Sequence, residues 1–366
     1  MLNRSLHILF ILILLPLVLC AQHTEMKQYT TSDGLPSNEV FHVMQDSTGY
    51  IWFCTDNGVS RFDGYEFENF DTDDGLAGSA ILFSYQDYKG RIWFLSMGTE
   101  LSYYHNDSIY EFQWNEKLQQ RLLSNPIPLK RGFYVDSTDC VYLSARLNGI
   151  FKIYPNGKID QWSVHFPHKN VVFDIPEGKT LITPLYKEKQ SLNVIQENES
   201  EYSTLFPHQV NKTGLAQIIK LDKNHYLIST GFDVFELKNQ KLEHIKGTNG
   251  KYIIEFSQDK QQRIWIGYRN HGIECYSNHK LKNREKKYLS NKSVSTFLID
   301  KHNGFWFTTL KNGVFYKPVQ NIMSINDTTV ISSIQINYAR IDKDNNIILG
   351  TADNYLNIIE NAFSNE

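Results

Sequence analysis

One pattern recurs eight times along this 366-residue chain and limits its fold more than any other feature. In the first copy, Phe41 to Phe62, a run of alternating apolar and polar residues precedes Asp-x-x-Gly, Ile-Trp-Phe, Thr-x-x-Gly and a third short run. Alternation at period two predicts half-buried strands, and the short gaps that contain glycine predict tight turns between them. A fourth run, Glu66 to Phe70, completes an antiparallel sheet of four strands.

The copies are regularly spaced. The position of Trp52 recurs at intervals of 41, 49, 40, 45, 38, 41 and 42 residues. The equivalent residues are Trp52, Trp93, Tyr142, Ile182, Leu227, Trp265, Trp306 and Ile348. A repeat of about 40–45 residues that carries four strands is the blade period of a β-propeller. The sequence therefore predicts an all-β propeller of four-stranded antiparallel blades, with Asp-x-x-Gly as a turn and tryptophan between blades.

Two arrangements of the eight units are consistent with this pattern. Met26 to Thr30 resembles the fourth strand of a blade, and pairing it with the third strand of the eighth unit would close an eight-bladed ring. In the alternative arrangement, seven blades form the ring and the eighth unit begins a second propeller. The number of repeats alone favours eight blades.

The first 21 residues differ from the rest of the chain. Arg4 precedes a continuous apolar run, Ile8 to Leu19, and Cys20-Ala21 provides small residues for cleavage. This pattern predicts a secretory signal peptide at residues 1–21 and a propeller domain at residues 22–366 that is periplasmic or otherwise exported. The remaining cysteines lie in different repeats and are predicted to be buried free thiols; they are Cys54, Cys140 and Cys275.

Composition and motifs exclude several classes of function. A net charge of −3 provides no basic surface for nucleic acid. The sequence has no G-x-S-x-G, no H-E-x-x-H and no paired cysteine ligands, so we predict no catalytic residues, no cofactor and no metal site. His165 and His168 offer two imidazoles but have no carboxylate nearby in sequence. A carbohydrate-active enzyme that uses two scattered acids remains an alternative.

The repeats resemble the two-component regulator propeller repeats of exported sensor regions in Bacteroidetes histidine kinases. The matching segments are YTTSDGLPSNEV at 29–40, DSTGYIW at 46–52, TDNGVSRFDG at 55–64 and RIWIG at 263–267. The resemblance implies a periplasmic domain that binds a small molecule, often a glycan fragment, and signals to a membrane histidine kinase. Because no kinase motif occurs in these residues, the kinase is expected in cis or in trans, and the propeller is expected to have no catalytic output of its own.

A propeller also predicts where a ligand binds. If the strands of a blade are lettered A to D from the centre outward, the B–C loops and the D–A connections converge on one face, here called the loop face. Long or aromatic side chains in these loops can reach a ligand, and the candidates are Asn38, Arg146, Tyr268, Arg269 and His271. The alternative hypothesis is a protein-interaction scaffold that docks a membrane sensor kinase.

Overall fold

The structure is a computed structural model. It describes residues 26–122, 126–146, 148–162, 172–174, 180–184, 192–196, 203–204, 217–222, 225–239, 241–318, 335–343 and 346–359. For residues 131, 146 and 359, and for the described residues from 162 to 204 inclusive, only the backbone is described. The predicted signal peptide at 1–21 and the pair His165 and His168 lie outside the described residues. Within these ranges, no helix has the length and apolar character needed to cross a membrane.

The first of two compact units, Met1–Pro318, contains seven antiparallel sheets of four strands among its described residues. It begins with β1 Lys27–Tyr29. The first two sheets consist of β2 Val40–Gln45, β3 Ile51–Thr55, β4 Gly58–Phe62 and β5 Phe67–Phe70, and of β6 Ile81–Gln86, β7 Ile92–Ser96, β8 Leu101–His105 and β9 Ser108–Glu111. After a short helix, α1 Asn115–Gln119, the third consists of β10 Ile127–Val135, β11 Val141–Arg146, β12 Gly149–Ile153 and β13 Ile159–Trp162.

The next sheets repeat this order. The fourth consists of β14 Val172–Asp174, β15 Thr180–Pro184, β16 Leu192–Gln196 and β17 Ser203–Thr204. The fifth and sixth consist of β18 Gln217–Asp222, β19 His225–Ser229, β20 Asp233–Lys238 and β21 Lys241–Gly247, and of β22 Ile253–Gln258, β23 Ile264–Tyr268, β24 Gly272–Tyr276 and β25 Arg284–Tyr288. The last three strands of the unit are β26 Val294–Ile299, β27 Phe305–Thr309 and β28 Val314–Lys317.

The N-terminal strand completes the seventh sheet. β1 pairs antiparallel with β28, with Lys27 opposite Tyr316 and Tyr29 opposite Val314. The first strand of each sheet contacts the first strand of the next, and β26 contacts β2, so the seven sheets form a closed ring. The predicted propeller of four-stranded blades is confirmed, with seven blades in the ring. The preference for eight blades is corrected, because the N-terminal strand pairs with the seventh unit and not with the eighth.

The eighth repeat belongs to a second compact unit, Val319–Glu366. Its three-stranded sheet consists of β29 Ile336–Ile341, β30 Ile347–Thr351 and β31 Leu356–Ile359. Among the described residues of this unit, six large apolar side chains are exposed, and they are Ile336, Tyr338, Ile341, Tyr355, Leu356 and Ile358.

The Asp-x-x-Gly segments form the A–B turns, as the sequence predicts. In the first blade, Asp46 Oδ1 accepts hydrogen bonds from the backbone N–H groups of Gly49 and Tyr50, at 2.8 and 3.0 Å. The other carboxylate oxygen, Oδ2, accepts a bond of 2.7 Å from the indole Nε1 of Trp52. The same indole bond, at 2.8–2.9 Å, occurs in the pairs Asp87–Trp93, Asp259–Trp265 and Asp300–Trp306.

Each of these tryptophans packs against the next blade. Trp52 is fully buried, and its ring lies 5.6 Å from that of Phe94 in the second sheet. Trp306 of the seventh sheet contacts Phe53 and Phe62 of the first. Burying a large ring whose N–H is satisfied gains apolar contact without leaving an unpaired donor. The apolar core of the ring is therefore concentrated at the interfaces between blades.

Three cysteines of the ring are free and buried: Cys54 on β3, Cys275 on β24, and Cys140, which directly precedes β11. Burial raises the pKa of the Cys54 thiol to about 12. All three are buried free thiols, as the sequence predicts.

Candidate functional site

The B–C loops lie beside the segments that lead into the A strands. Backbone N–H groups of the B–C loops donate to carbonyl groups of these segments, in the pairs Asp56–Glu39, Met97–Ala80, Arg269–Tyr252 and Leu310–Ser293, at 2.8–3.3 Å. The two classes of loop thus meet on one face in four blades, as expected for the loop face of a propeller.

Two D–A connections have the same local structure. Thr31–Asp33 and Thr72–Asp74 are single 3-10 turns, each with a capping box at its start and a glycine in the left-handed region at its end. Asn38 follows the first of these turns. Its side-chain oxygen accepts a bond from Thr31 N (3.1 Å), and its carbonyl accepts one from Gly313 N (2.9 Å). Asn38 thus links the first turn to the seventh blade, and its contact with a ligand stays a prediction.

Three of the predicted residues lie at the B–C connection of the sixth blade, two in the loop and Tyr268 at the end of the strand before it. Tyr268 is the last residue of β23 and is 1% exposed, whereas Arg269 and His271 are exposed. The Arg269 guanidinium lies 5.3 Å from the centre of the Tyr252 ring, a cation–π arrangement. His271 Nδ1 lies 2.7 Å from the carbonyl oxygen of Arg269. Arg269 and His271 therefore present polar groups on the loop face, and the side chain of Arg146 lies outside the described residues.

Tyr268 points into a buried network around Glu274. The hydroxyl groups of Tyr268 and Tyr276 donate to Glu274 Oε2 at 3.2 and 2.6 Å. Lys251 and Arg284 donate to Oε1 at 3.3 and 3.2 Å. Burial alone would raise the pKa of Glu274, but these donors outweigh it and lower that pKa, so the group is a carboxylate. Burial raises the pKa of Tyr268. Its hydroxyl bond to Glu274 fixes the end of β23, where the loop begins.

Sequence reasoning missed two aromatic residues near this loop: Tyr252, which contacts Arg269, and Phe232, which contacts Tyr252. Tyr252 is in the D–A connection that leads into the sixth blade, and the ring of Phe232, in the B–C loop of the fifth blade, lies edge-on to it at 5.3 Å. We name Phe232, Tyr252, Arg269 and His271 the loop-face patch. Their positions in the sequence could have revealed them, because Phe232 lies in a B–C loop and Tyr252 in the following D–A connection, the two kinds of loop that converge on one face. Aromatic rings can pack on a sugar or another flat ligand, and a guanidinium and an imidazole can bind its oxygens.

At the centre of the ring, a lysine joins three blades. Lys130, on β10, donates to the carbonyl oxygen of Ser295 (2.6 Å) and to the hydroxyl of Thr296, both on β26. Its ammonium lies 4.0 Å from the buried carboxylate of Glu255 on β22. The pairing of β10 with β11 shifts register between Pro128 and Phe133, so Lys130 belongs to a bulge. The bulge places this charge among polar groups of the sixth and seventh blades.

Comparison with known proteins supports the same repeat type. The family model described as a two component regulator propeller matches residues 34–57, which confirms the predicted resemblance in the first blade. No curated protein shows a significant match to this sequence.

Among solved structures, the chain is similar to the extracellular domain of a hybrid two component system from B. thetaiotaomicron, with a TM-score of 0.64 and 19% identity over 93% of this chain and 48% of that one. A second such domain from the same organism has a TM-score of 0.62 and 12% identity, over 90% of this chain and 44% of that one. Virginiamycin B lyase from Staphylococcus aureus has a TM-score of 0.59 and 10% identity, over 81% of this chain and 99% of that one.

These likenesses establish the propeller fold. The chain spans about half the length of the two extracellular domains that it matches. Propellers of this shape include both an extracellular regulator domain and an enzyme, so the function has to be argued from the site.

Proposed function

We propose that this chain is an exported ligand-binding sensor propeller of a two-component signal transduction system, without catalytic output of its own. The observation that carries the proposal is the loop-face patch. It combines two aromatic rings with a guanidinium and an imidazole on the face where propeller loops converge. The two-component regulator repeat at residues 34–57 and the fold of the extracellular domains support this function.

The chemistry of the patch favours a glycan fragment. The half-buried rings of Phe232 and Tyr252 can pack against the C–H groups of a sugar ring with their exposed parts, and Arg269 and His271 can bind hydroxyl or carboxylate oxygens. Because a guanidinium stays charged at any physiological pH, an acidic oligosaccharide would gain an additional charge-assisted bond from Arg269. The described residues of the patch include no carboxylate, so a nucleophile and acid pair is not part of it.

Ligand binding has to be coupled to an output. We assign the output to a membrane histidine kinase, joined to this chain or acting as a separate partner. The similarity to extracellular domains of hybrid two component systems supports this assignment. Co-expression with a candidate kinase, followed by measurement of its phosphorylation with and without the bound ligand, tests it.

Isothermal titration calorimetry against fractionated acidic and neutral oligosaccharides tests the binding function. We expect one fraction to bind and to be recovered unchanged by mass spectrometry. Tyr252→Ala and Arg269→Ala should each weaken binding by about tenfold or more, because each removes a group at the centre of the patch. The matched control is Tyr65→Ala, since Tyr65 is a 93% exposed aromatic residue in a C–D turn at the other end of a blade.

Three results would contradict the proposal. Release of a shortened or unsaturated product would indicate an enzyme. Equal loss of affinity in Tyr252→Ala and Tyr65→Ala would show that the loop-face patch is not the binding site. Capture of a kinase by a propeller that binds none of the oligosaccharides would favour the scaffold hypothesis.

A further inference from the structure

A second cluster of functional groups lies between the fifth and sixth blades, at the end where the A–B and C–D loops lie. His225 begins β19, Glu236 lies on β20, and His279 is in the loop between β24 and β25. His225 Nε2 is 2.7 Å and His279 Nε2 is 3.5 Å from the same carboxylate oxygen, Oε1 of Glu236. We propose that these three side chains form a binding site for a divalent transition metal ion of the zinc class.

The backbone explains why the three groups meet. In the β19–β20 ladder, His225 is opposite Lys238 and Leu227 is opposite Glu236, so His225 and Glu236 lie diagonally on the same face of the sheet. His279 is placed by the C–D loop of the next blade. There the side chain of Asn278 accepts a bond from Lys280 N (3.0 Å), and Leu281, 3% exposed, is anchored in the apolar core between the two blades.

The donor set fits zinc. Two imidazole nitrogens and one carboxylate oxygen with a water molecule in the fourth position are a common tetrahedral set, and bonds of about 2.0–2.2 Å place the ligand atoms roughly 3.3 Å apart. The three ligand atoms here all lie within 4.8 Å of one another. Small rotations of the imidazole rings would bring them to bonding distance.

The cluster also has a competing cation. The ammonium of Lys280 lies 2.7 Å from Glu236 Oε2, whereas both imidazole contacts are to Oε1. This contact orients the carboxylate, leaving Oε1 for the metal, and it also reduces the attraction of the site for a second cation. Lys280 therefore makes the site weaker than the same three ligands alone would be.

A metal at this position would join two blades. Two of its ligands belong to the fifth blade and the third to the sixth, the same pair of blades that forms the loop-face patch at the other end. Because the ligands come together only in the folded ring, bound metal should raise the stability of the fold. This inference stands independently of the proposed ligand binding.

Calorimetry with zinc chloride, after dialysis of the full chain against EDTA, tests the site. We expect one zinc ion per chain, a rise in the melting temperature, and visible d–d absorption when cobalt(II) replaces zinc. His279→Gln should weaken zinc binding by about tenfold or more and remove the cobalt spectrum. His279 lies on a surface loop, so circular dichroism should show that this variant keeps its fold.

His244→Gln is the matched control. His244 lies on β21 of the fifth blade and bonds to Asp233 at 2.9 Å, outside the cluster, so its removal should leave zinc binding unchanged. Lys280→Gln should tighten zinc binding, since it removes a positive charge from the carboxylate. Absence of zinc binding would overturn the proposal. So would equal losses of affinity in His279→Gln and in either His244→Gln or Lys280→Gln, because a residue that is not a ligand would then matter as much as one that is.

Discussion

At the residue scale, the aspartate of the A–B turn has two structural tasks in four of the described blades. One oxygen accepts the backbone N–H groups of the turn, and the other accepts the indole N–H of a tryptophan six residues later. The spacing of the sequence motif, Asp-x5-Trp, follows from this pair of contacts. The motif therefore links the A–B turn to the apolar core between two blades.

Asp259→Ala tests this account. The change leaves the indole N–H of Trp265 buried without its partner, and it also removes the contact of Asp259 with Arg263 Nε at 2.7 Å. An unsatisfied buried donor costs about 1–3 kcal/mol, so the free energy of unfolding should fall by about that amount. Urea unfolding, followed by tryptophan fluorescence, measures it. Asp56→Ala, in an exposed B–C loop, is the control and should change stability by less than about 0.5 kcal/mol. Equal midpoints for the two variants would contradict the account.

The Glu274 network predicts a dependence of stability on pH. Donors lower the pKa of Glu274 in the folded state, so its contribution to stability is present above its unfolded pKa and is lost as the pH falls through the folded one. Glu274→Gln should therefore destabilise the protein most at neutral pH, and the difference from wild type should shrink in acid. Urea midpoints between pH 7 and pH 3 measure this difference. The exposed Glu243 provides the control Glu243→Gln. A difference that stays constant over this range would contradict the prediction.

Residue patterns predicted the turns and the tryptophans but did not predict the neighbours of the site residues. The repeat placed both Arg269 and Tyr268 in the B–C loop, but only Arg269 lies there and is exposed, whereas Tyr268 is the buried last residue of β23. Alternation along β23 continues to its last residue and directs Tyr268 toward Glu274. The position of Lys130 depends on a bulge, which the repeat pattern does not contain. His225 and His279 are 54 residues apart in sequence, and blade packing alone brings them together.

At the scale of elements, the three-residue strand β1 closes the ring. It supplies the fourth strand of the seventh sheet, and Gly313 allows the close approach of the two chain segments. Gly313 has a φ of +67°, and a Cβ atom there would lie 2.1 Å from the carbonyl oxygen of Tyr29. Pairing the two termini of a ring in this way removes an exposed strand edge.

Gly313→Ala should release β1 from its partner. The added methyl group collides with the backbone of Tyr29, so we expect a lower melting temperature and faster amide hydrogen exchange at Lys27–Tyr29. Gly64→Ala is the matched control, because Gly64 also has a positive φ, +112°, but a Cβ atom there meets nothing within 4 Å. Both variants carry the backbone strain of about 1 kcal/mol, and Gly313→Ala alone should expose β1. Unchanged exchange at β1 would contradict this role for Gly313.

For the whole molecule, the repeat pattern predicted the fold class but not which of the eight repeats belong to the ring. Eight similar segments are compatible with either arrangement, because the A, B and C strands have the same pattern in each. The deciding contact is the pairing of β1 with β28, which depends on three residues and on the geometry of the ring. All strands of the seven sheets come from residues up to Lys317, and the eighth repeat forms a compact unit of its own.

This partition predicts that the ring folds without the second unit. A chain that ends at Pro318 keeps every strand of the seven sheets, so it should unfold in one cooperative transition with a urea midpoint close to that of the full chain. It should also bind less of the dye ANS, because six exposed large apolar side chains are removed with residues 319–366. Deletion of residues 22–30 from the same chain is the control, since it removes β1 and opens the edge of β28, and it should lower the midpoint. If ending the chain at Pro318 lowers the midpoint as much as removing β1 does, the ring is not an independent folding unit.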